Sequence, residues 1–522
     1  MRQLTSLDAQ FLAIESKRIY GHVGGLAIYD PSTAPNGEVT AKDISRLFGE
    51  RLHLMPPFRR RLAEVPLGLD HPYWLEDPDF DLDYHIRETA LAPPGDDRQL
   101  AKQVSLIFAR PLDRARPLWE LYVIHGLEGG KTALLTKMHH AMVDGVASAE
   151  ILTVLLDEQP EGREIAPPDR RRQTERVPSD VEMLARGIAG LPLQPLRALR
   201  ALPQTIANLD ALPVVGSLPV VGRLSRLTTS AVRAVETVLP VLPTPDGNVL
   251  GEHPDVTTVP RTRFNGRVSA HRRYSFGSLS LDAIKAVKNA AGVTVNDVVV
   301  AICAGGLRQW LLAQNELPHE PLIAMVPMSV RTEEQEGTYG NRVSALFVPI
   351  PTNEPDPRRR LELTHDQLKM AKDHHKALPA DLLSDATQFI PPALAARASR
   401  VALQLGSTQG VQPAFNVTIS NVPGPRAPLY CAGALMESNN PVSVVAHGAG
   451  LNITCMSYRD HVDFGVIVCR DQMEDAWPLL DALRVALAEF ERDLCGTGKG
   501  KRTTPLVALP DPAPEGSAVP TA

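Results

Sequence analysis

The sequence lacks most of the features that mark metal-binding, nucleotide-binding and membrane-spanning proteins. Five cysteines in 522 residues, none in a Cys-x-x-Cys pair, indicate neither a disulfide framework nor a cysteine metal site. The phosphate-binding patterns GxxxxGK followed by Ser or Thr, and GxGxxG, are absent. No uninterrupted apolar run reaches the roughly 18 residues of a membrane span, and we expect no secretory signal at the N-terminus. We therefore expect a globular protein with no bound metal and no cofactor.

Charge and aromatic content are low as well. The 54 Lys and Arg residues are outnumbered by 60 Asp and Glu, the net charge is −6, and only 5% of the residues are aromatic. A nucleic-acid binder needs a basic stripe to neutralise phosphates, so we expect no nucleic-acid partner. Free thiols fit a reducing compartment, and we expect a cytoplasmic protein. Peripheral contact with the inner membrane or with lipid inclusions stays open.

The most informative pattern present is HHAMVDG at 139–145, which has the form HHxxxDG. It follows a strand-like run, 132–138, and precedes apolar residues at helical spacing, 146–156. A neutral imidazole at such a junction can accept a hydroxyl proton, because the ordinary pKa of histidine lies near neutral pH. Asp144 suits the N-cap of the following helix, and Gly145 lets the backbone turn. The alternative is a chance histidine pair beside a capped helix.

A second histidine pair in the same chain shows what a chance pair looks like. His374 and His375 lie in the segment KDHHKALP, with no Asp-Gly at the required spacing. We expect these two residues to lie on a solvated helix face. The complete pattern at 139–145 is therefore more specific than a histidine pair alone.

Helical and extended patterns alternate along the chain, which predicts an α/β protein of the α+β sandwich type with more than one domain. We expect an N-terminal domain at 1–165, a connector at 166–257, a C-terminal domain at 258–494 and a disordered tail at 495–522. The predicted helices are 6–15, 100–108, 146–156, 280–292, 295–314 and 477–494. The predicted strands are 22–29, 119–125, 132–138, 322–326, 343–349, 414–419, 451–458 and 462–468.

The connector has an unusual composition. Between 183 and 243 it contains six Arg, no Lys and two acidic residues, and it repeats LPVVG at 212–216 and 218–222. Cationic, apolar and proline-interrupted segments are typical of membrane-surface contact. The alternative is a pair of short helices packed across both domains, a composition that many interdomain segments share. The two interpretations do not exclude each other.

Eight motifs, in order along the chain, carry a family resemblance. They are LTSLDAQFLAIE at 4–15, HVGGLAIYD at 22–30, RPLWELYVIHGL at 116–127, HHAMVDG at 139–145, TVNDVVVAICAGGLR at 294–308, VPMSVR at 326–331, GNRVSALFVPIP at 340–351 and NVTISNVPGP at 416–425. With them the chain resembles the bacterial wax ester synthase/acyl-CoA:diacylglycerol acyltransferase family from residue 4 to about 490. The resemblance implies two chloramphenicol acetyltransferase-like domains, similar also to condensation domains, with an interdomain channel between them. The partly helical connector with its Pro and Arg residues would join the two domains.

The resemblance also implies unequal roles within HHxxxDG. The second histidine of the family motif acts as general base, which carries over to His140, whereas His139 orients the turn. The family's aspartate points away from the channel and pairs with an arginine. This makes Asp144 and Gly145 supporting residues, and Arg331, in VPMSVR, the expected partner of Asp144.

Two short motifs are also family positions: Pro117, Leu118 and Trp119 (PLW), and Asn296 and Asp297 (ND). Structural roles fit them well. Trp119 would pack the start of a strand, and the amide and carboxylate groups would lie near a helix N-terminus, where the helix dipole favours them.

An acyl transfer through a tetrahedral oxyanion needs a hydrogen-bond donor for that oxygen. Thr418, Ser420 and Asn421, beside a Pro-Gly-Pro turn, and Asn296 are the candidates for an oxyanion or channel position. The sequence does not choose among them.

The family resemblance implies an O-acyltransferase that moves a long-chain acyl group from acyl-CoA to diacylglycerol or to a fatty alcohol. The thioester is already reactive, so no covalent intermediate is needed, and acyl-CoA is a substrate rather than a cofactor. The alternative is a condensation-fold acyltransferase or lipid-surface binding protein that uses a carrier-bound donor or another hydroxyl acceptor. A lipase-like hydrolase, suggested by HGAG at 447–450, lacks the GxSxG nucleophile motif.

Overall fold

The computed structural model describes residues 1–143, 151–167, 176–190, 259–329, 343–377, 407–408 and 413–496. These residues form two six-stranded sheets with helices packed on them, and a small third sheet. Most of the connector at 166–257 and the tail from 497 onward lie outside the described residues. The mixture of sheets and helices confirms the predicted fold class.

The described strands are β1 Arg2–Gln3, β2 His22–Asp30, β3 Arg60–Ala63, β4 Tyr73–Glu76, β5 Ile86–Ala90, β6 Trp119–His125, β7 Thr132–His139, β8 Arg272–Ser280, β9 Leu322–Ser329, β10 Val343–Ile350, β11 Val417–Val422, β12 Tyr430–Cys431, β13 Ala434–Val442, β14 Leu451–Tyr458 and β15 His461–Cys469. The described helices are α1 Ser6–Ala13, α2 Ala41–Arg51, α3 Leu82–His85, α4 Asp97–Phe108, α5 Asp180–Gly190, α6 Leu281–Ala291, α7 Val295–Ala313, α8 Pro357–Ala377 and α9 Trp477–Leu494. Residues 151–155 are helical too. The predicted elements that fall within these residues are confirmed in type, with ends that differ by a few residues.

Side-chain caps explain where two of these helices begin. The Thr294 hydroxyl accepts from the Asp297 N–H at 3.2 Å, and the Asp297 carboxylate accepts from the Thr294 N–H at 2.9 Å. This reciprocal capping box starts α7. Ser280 caps α6 by accepting from the Ala283 N–H at 3.2 Å, and Gly292 ends that helix with a left-handed backbone, φ 70°.

The strand order is β12-β13-β2-β7-β6-β5 in the first sheet and β10-β9-β11-β14-β15-β8 in the second. Two strands of the first sheet, β12 and β13, therefore come from the second half of the chain, and β13 pairs with β2, with Asn440 opposite Leu26. The predicted domain ranges do not anticipate this exchange. β13 also contacts the second sheet, because Asp463 on β15 accepts from the Asn439 N–H at 2.7 Å and from the Ser278 hydroxyl at 2.5 Å.

The helix α7 lies at the centre of the second domain. Residues 298–304 are wholly buried against the second sheet and its other helices. By length and mean hydropathy α7 resembles a membrane span, yet 72% of its apolar window is buried. Packing in the core therefore accounts for its composition.

A buried ion pair ties an outer helix of the first domain to the edge of its sheet. Arg51, the last residue of α2, donates to both carboxylate oxygens of Asp157 at 2.8 and 2.7 Å, and also to the Leu155 carbonyl. Asp157 exchanges both backbone hydrogen bonds with Tyr430 of β12, at 2.9 and 2.7 Å. Only 2% of the Arg51 side chain is exposed, and the other arginine near Asp157, Arg163, lies 3.6 Å away.

We expect Arg51→Met to lower the free energy of unfolding by about 3–5 kcal/mol, because a buried carboxylate loses its partner. Arg46→Met, in the same helix, is the matched control, since Arg46 is 65% exposed and pairs with Asp43 and Glu50 at the surface. We expect that control to cost less than about 1 kcal/mol. Urea unfolding followed by circular dichroism measures both variants, and equal losses would contradict the role of the Arg51–Asp157 pair.

Candidate active site

The described part of the HHxxxDG motif, residues 139–143, is called the histidine turn below and begins at the end of β7. His139 is 1% exposed, and its backbone N–H donates to the Leu118 carbonyl at 2.9 Å. Its Nδ1 accepts from the Ala141 N–H at 3.0 Å, so the neutral ring carries its proton on Nε2. That Nε2 lies 3.1 Å from the Glu15 carboxylate. Both ring nitrogens face protein groups, which fits an orienting role for His139.

Glu15 joins the N-terminal segment to the histidine turn. Its carboxylate accepts from the Gly21 N–H at 2.8 Å and from Arg114 Nη2 at 2.7 Å, besides facing His139. Burial raises the pKa of this carboxyl, but His139, Arg114 and the Gly21 N–H outweigh burial and hold the pKa well below its usual range. Glu15 is therefore ionised beneath the turn at neutral pH.

His140 occupies a different environment from its neighbour. The side chain is partly exposed, and its backbone N–H donates to the Gly21 carbonyl at 2.7 Å. The ring stacks face to face on Phe11, with centroids 3.9 Å apart and planes 6° from parallel. The backbone bond and the stacking together fix the position and plane of the imidazole. Of the two histidines, His140 is the more exposed.

Gly21 allows the N-terminal segment to lie this close to the turn. A Cβ at this position would sit 2.7 Å from His139 Nε2, so any side chain would displace the ring. Glycine at 21 thus serves both histidines, since its N–H binds Glu15 and its carbonyl binds His140.

Two further basic side chains lie beneath the histidine turn. His22, opposite His139 on β2, is buried, and burial together with Lys137 and His139 holds the pKa of its imidazole well below the usual value. Lys137 is fully buried, donates to the Arg110 carbonyl at 2.6 Å and lies 3.7 Å from Glu120. Burial lowers the pKa of Lys137 to about 8. His22 is consequently neutral, next to a lysine that is charged at neutral pH.

The four polar candidates from the second domain fall into two groups. Asn421 Nδ2 donates to Asn296 Oδ1 at 3.3 Å, so this pair lies on the face of β11 that packs against α7. Thr418 and Ser420 alternate with Asn421 along β11 and lie on the opposite face. The register of β11 with β14 puts Met456 on that opposite face as well, and Met456 lines a cavity that reaches into the first domain. Thr418 and Ser420 therefore belong to the wall that faces the first domain.

This cavity lies between the first sheet and the helical segment 151–155. Its lining is predominantly apolar and includes Tyr29, Phe48, Phe58, Met138, Ile151 and Leu155. Met138 immediately precedes His139, so one side of the cavity lies next to the histidine turn. Asn439 and Met456 complete the lining from the second half of the chain.

The PLW and ND residues have structural contacts. Leu118 is fully buried, and the Trp119 indole N–H donates to the Phe58 carbonyl at 2.8 Å. The Asp297 carboxylate serves the capping box of α7 and lies 2.8 Å from His365 Nδ1. Trp119 thus packs the start of β6, and Asp297 holds a helix N-terminus.

Three predicted site residues, Asp144, Gly145 and Arg331, lie outside the described residues, so the pairing of Asp144 with Arg331 stays a prediction. The second histidine pair, His374 and His375, lies at the end of α8. His374 is exposed there, as predicted, and the side chain of His375 lies outside the described residues.

Comparison with known proteins identifies the family. The model of the wax ester synthase/diacylglycerol acyltransferase catalytic domain matches residues 4–299, and that of the family's C-terminal domain matches residues 339–491. The chain belongs to the wax ester synthase/diacylglycerol acyltransferase family. The resemblance drawn from the eight motifs is thereby confirmed.

Relatives of this acyltransferase match along nearly its whole length. A probable diacylglycerol O-acyltransferase of Mycobacterium tuberculosis H37Rv is 36% identical over 500 residues, which cover 93% of this chain and 98% of the relative. The O-acyltransferase WSD of Acinetobacter baylyi is 33% identical over 503 residues, covering 94% and 97%. Both similarities extend through the two domains.

Solved structures agree with the two-domain fold. The wax ester synthase/diacylglycerol acyltransferase from Marinobacter aquaeolei VT8 matches with a TM-score of 0.65 at 29% identity, covering 95% of this chain and 100% of that one. The first condensation domain of the CDA synthetase matches with a TM-score of 0.52 at 16% identity, covering 95% and 97%. The second likeness concerns the fold alone. The fold expected from the family resemblance is confirmed.

The sequence motifs of this acyltransferase did not identify Glu15, Gly21 or His22 as residues of the site. Glu15 ends one family motif and His22 begins the next, but neither motif indicates a contact with a turn at 139–143. The helix predicted over 6–15 ends at Ala13 instead, which leaves Glu15 in a loop that reaches His139. The available signal was an acidic residue, Glu15, directly after the apolar run at 11–14.

We expect Glu15→Ala to lower the acyltransferase kcat by about 10²-fold, because loss of the carboxylate releases His139 and Gly21 and displaces the turn. Glu64→Ala is the matched control, since the 66% exposed Glu64 also lies near Arg114, at 3.8 Å. Steady-state kinetics with circular dichroism of both variants test this. Equal kcat values in the two variants would contradict the positioning role.

The depressed pKa of Glu15 also predicts a pH effect on stability. Its contribution to the free energy of unfolding is present above the ordinary pKa of 4.5 and is lost as the pH falls toward its folded-state pKa. We expect the wild type to lose stability more steeply than Glu15→Gln between about pH 5 and pH 2. Urea titrations at successive pH values measure this slope, and parallel curves for the two proteins would refute it.

Proposed function

We propose that this protein transfers a long-chain acyl group from acyl-CoA to the hydroxyl of diacylglycerol, forming triacylglycerol, and to a fatty alcohol, forming a wax ester. The observation that carries the proposal is the placement of His140. Its ring is partly exposed, held by Phe11 and Gly21, and lies in a turn that borders an apolar cavity. The names of the relatives, a diacylglycerol O-acyltransferase and an O-acyltransferase, support this choice of reaction.

His140 acts as general base in this reaction. Its neutral imidazole accepts the proton of the acceptor hydroxyl while that oxygen attacks the thioester carbonyl. The tetrahedral intermediate carries its negative charge on the former carbonyl oxygen, and its collapse breaks the carbon–sulfur bond. The imidazolium then returns the proton to the departing CoA thiolate. Atoms and charge balance without a covalent enzyme intermediate, a metal or a cofactor.

The oxyanion requires a donor on the side of the channel opposite the histidine turn. Thr418 and Ser420 lie on the face of the second sheet that is turned toward the first domain, and each has a hydroxyl. Asn296 and Asn421 bind each other on the other face of β11. We therefore assign the oxyanion donor to the Thr418–Ser420 face.

The apolar cavity supplies the environment for a long acyl chain. Aromatic and branched side chains line it, and burying methylene groups there removes apolar surface from water. Because the acceptors are lipids, we place the reaction at a lipid surface inside the cytoplasm.

The test uses purified protein with palmitoyl-CoA and either dioleoylglycerol or hexadecanol, with release of the CoA thiol and formation of ester both measured. We expect turnover with both acceptors, and a loss of about 10²- to 10⁴-fold in kcat for His140→Ala, because the proton acceptor is removed. His374→Ala is the matched control, since His374 belongs to the second histidine pair and is exposed on α8. We expect that control to keep the wild-type kcat.

Three outcomes would overturn the proposal. Unchanged turnover in His140→Ala would remove the general-base mechanism. Thiol release without ester in the presence of either acceptor would show hydrolysis, and ester formed from an acyl carrier protein but not from palmitoyl-CoA would show a carrier-dependent enzyme.

A further inference from the structure

Positive charge accumulates where the loop at 16–20 meets the start of β8. Arg272, the first residue of β8, is 5% exposed. Its Nη1 donates to the Ser269 carbonyl at 2.6 Å, and its Nη2 donates across the domain junction to the Arg18 carbonyl at 2.7 Å. Backbone carbonyls hold this guanidinium without neutralising it. Arg18 and Arg267 are exposed at the same junction.

His447 completes the group, and it belongs to the HGAG segment that the acyl-transfer mechanism leaves unused. The side chain is 8% exposed, and its Nδ1 accepts from the Val268 N–H at 3.0 Å, so the neutral ring carries its proton on Nε2. Burial lowers the pKa of His447, and the charges of Arg267, Arg18 and Arg272 lower it further. The three guanidinium groups are therefore close enough to this imidazole to act on it.

Few carboxylates of the protein offset the positive charge of these three arginines. Within the part of the chain that the structure describes, no carboxylate oxygen lies within 4.0 Å of the Arg18, Arg267 or Arg272 side chains. Asp471 is the carboxylate whose charge acts on Arg272, and it pairs with Arg470 at 3.8 Å. Like charges gathered in a partly buried place raise the local potential and favour a bound anion.

The group lies close to the histidine turn. Arg18 is three residues before Gly21, whose carbonyl accepts the His140 N–H. Three residues of extended chain span at most about 11 Å. An anion bound at Arg18 therefore lies close enough to His140 for one ligand to contact both residues, provided that a flexible chain joins its anionic group to its thioester.

We propose that Arg18, Arg267 and His447 bind the phosphate groups of the nucleotide half of CoA, 3′-phosphoadenosine diphosphate, and that the buried charge of Arg272 beside them favours the bound anion. The proposal rests on the proposed function, in which acyl-CoA is the donor. Guanidinium groups bind phosphate oxygens through two parallel hydrogen bonds, and the Nε2–H of His447 adds a neutral donor. The pantetheine arm runs from this site past residues 18–21 to His140, and the acyl chain enters the apolar cavity.

The test replaces the two exposed arginines, because Arg272 is buried and its loss would disturb the domain junction. We compare the double variant Arg18→Ala/Arg267→Ala with a control that removes two exposed arginines from outer helices, Arg46→Ala/Arg492→Ala. Each protein is assayed with palmitoyl-CoA and with palmitoyl-pantetheine, which lacks the nucleotide. Isothermal titration calorimetry with adenosine 3′,5′-bisphosphate measures binding without turnover.

We expect kcat/KM for palmitoyl-CoA to fall about 100-fold in the Arg18→Ala/Arg267→Ala variant, about tenfold for each lost charge-assisted contact, chiefly through KM. The value for palmitoyl-pantetheine should fall far less, and binding of adenosine 3′,5′-bisphosphate should be lost. The control should keep the wild-type ratio between the two donors.

Four results separate failure of the site from failure of the proposed function. Equal kcat/KM for the two donors in the wild type, or an unchanged ratio in the double variant, would overturn the site and leave the function standing. Binding of the bisphosphate without any acyl transfer would overturn the function and leave the site. Weakened binding to anionic phospholipid vesicles with unchanged bisphosphate binding would overturn the site in favour of a lipid headgroup.

Discussion

The half-buried carboxylate of Glu15 makes the contacts on which the geometry of the histidine turn depends. It is anchored by Arg114 and binds the Gly21 N–H, and the carbonyl of the same glycine then holds the backbone of His140. A charged acceptor makes stronger hydrogen bonds than a neutral one, so this series of contacts resists displacement. The proposed base is thus positioned through a neighbour's charge and its own backbone.

The two adjacent histidines differ because successive residues at the end of a strand face opposite sides. His139 faces the interior, where His22 and Lys137 are also buried. Burial and the charge of Lys137 hold the pKa of the His22 imidazole well below its usual value, so His22 adds no second positive charge there. His140 stacks on Phe11 and is partly exposed. The two adjacent histidine side chains therefore lie in different environments, one buried and one partly exposed.

Interactions between residues close together in the sequence could be predicted from it, whereas contacts between distant segments could not. Caps such as Thr294 with Asp297 are three residues apart, and periodicity identifies a strand or helix from its own residues. The contacts of Glu15 with Arg114 and His139 span about a hundred residues or more, and the pairing of β13 with β2 spans some four hundred. No local pattern encodes such pairings. The histidine motif was found because its residues are contiguous, whereas its supporting residues come from separate segments.

The pairing of β13 with β2 links the two halves of the chain at the channel. Asp463, buried in the second sheet, fixes the Asn439 backbone, while the Asn439 side chain contacts Met456 and lines the cavity of the first domain. The cavity is consequently closed by walls from both halves, and its Met456 lies on the same face of the second sheet as Thr418 and Ser420. A relative shift of the two sheets would break the Asp463 contact and separate these walls. Since the proposed reaction needs the acyl chain, the base and an oxyanion donor at one place, the crossing strand is what makes two like-folded domains into one site.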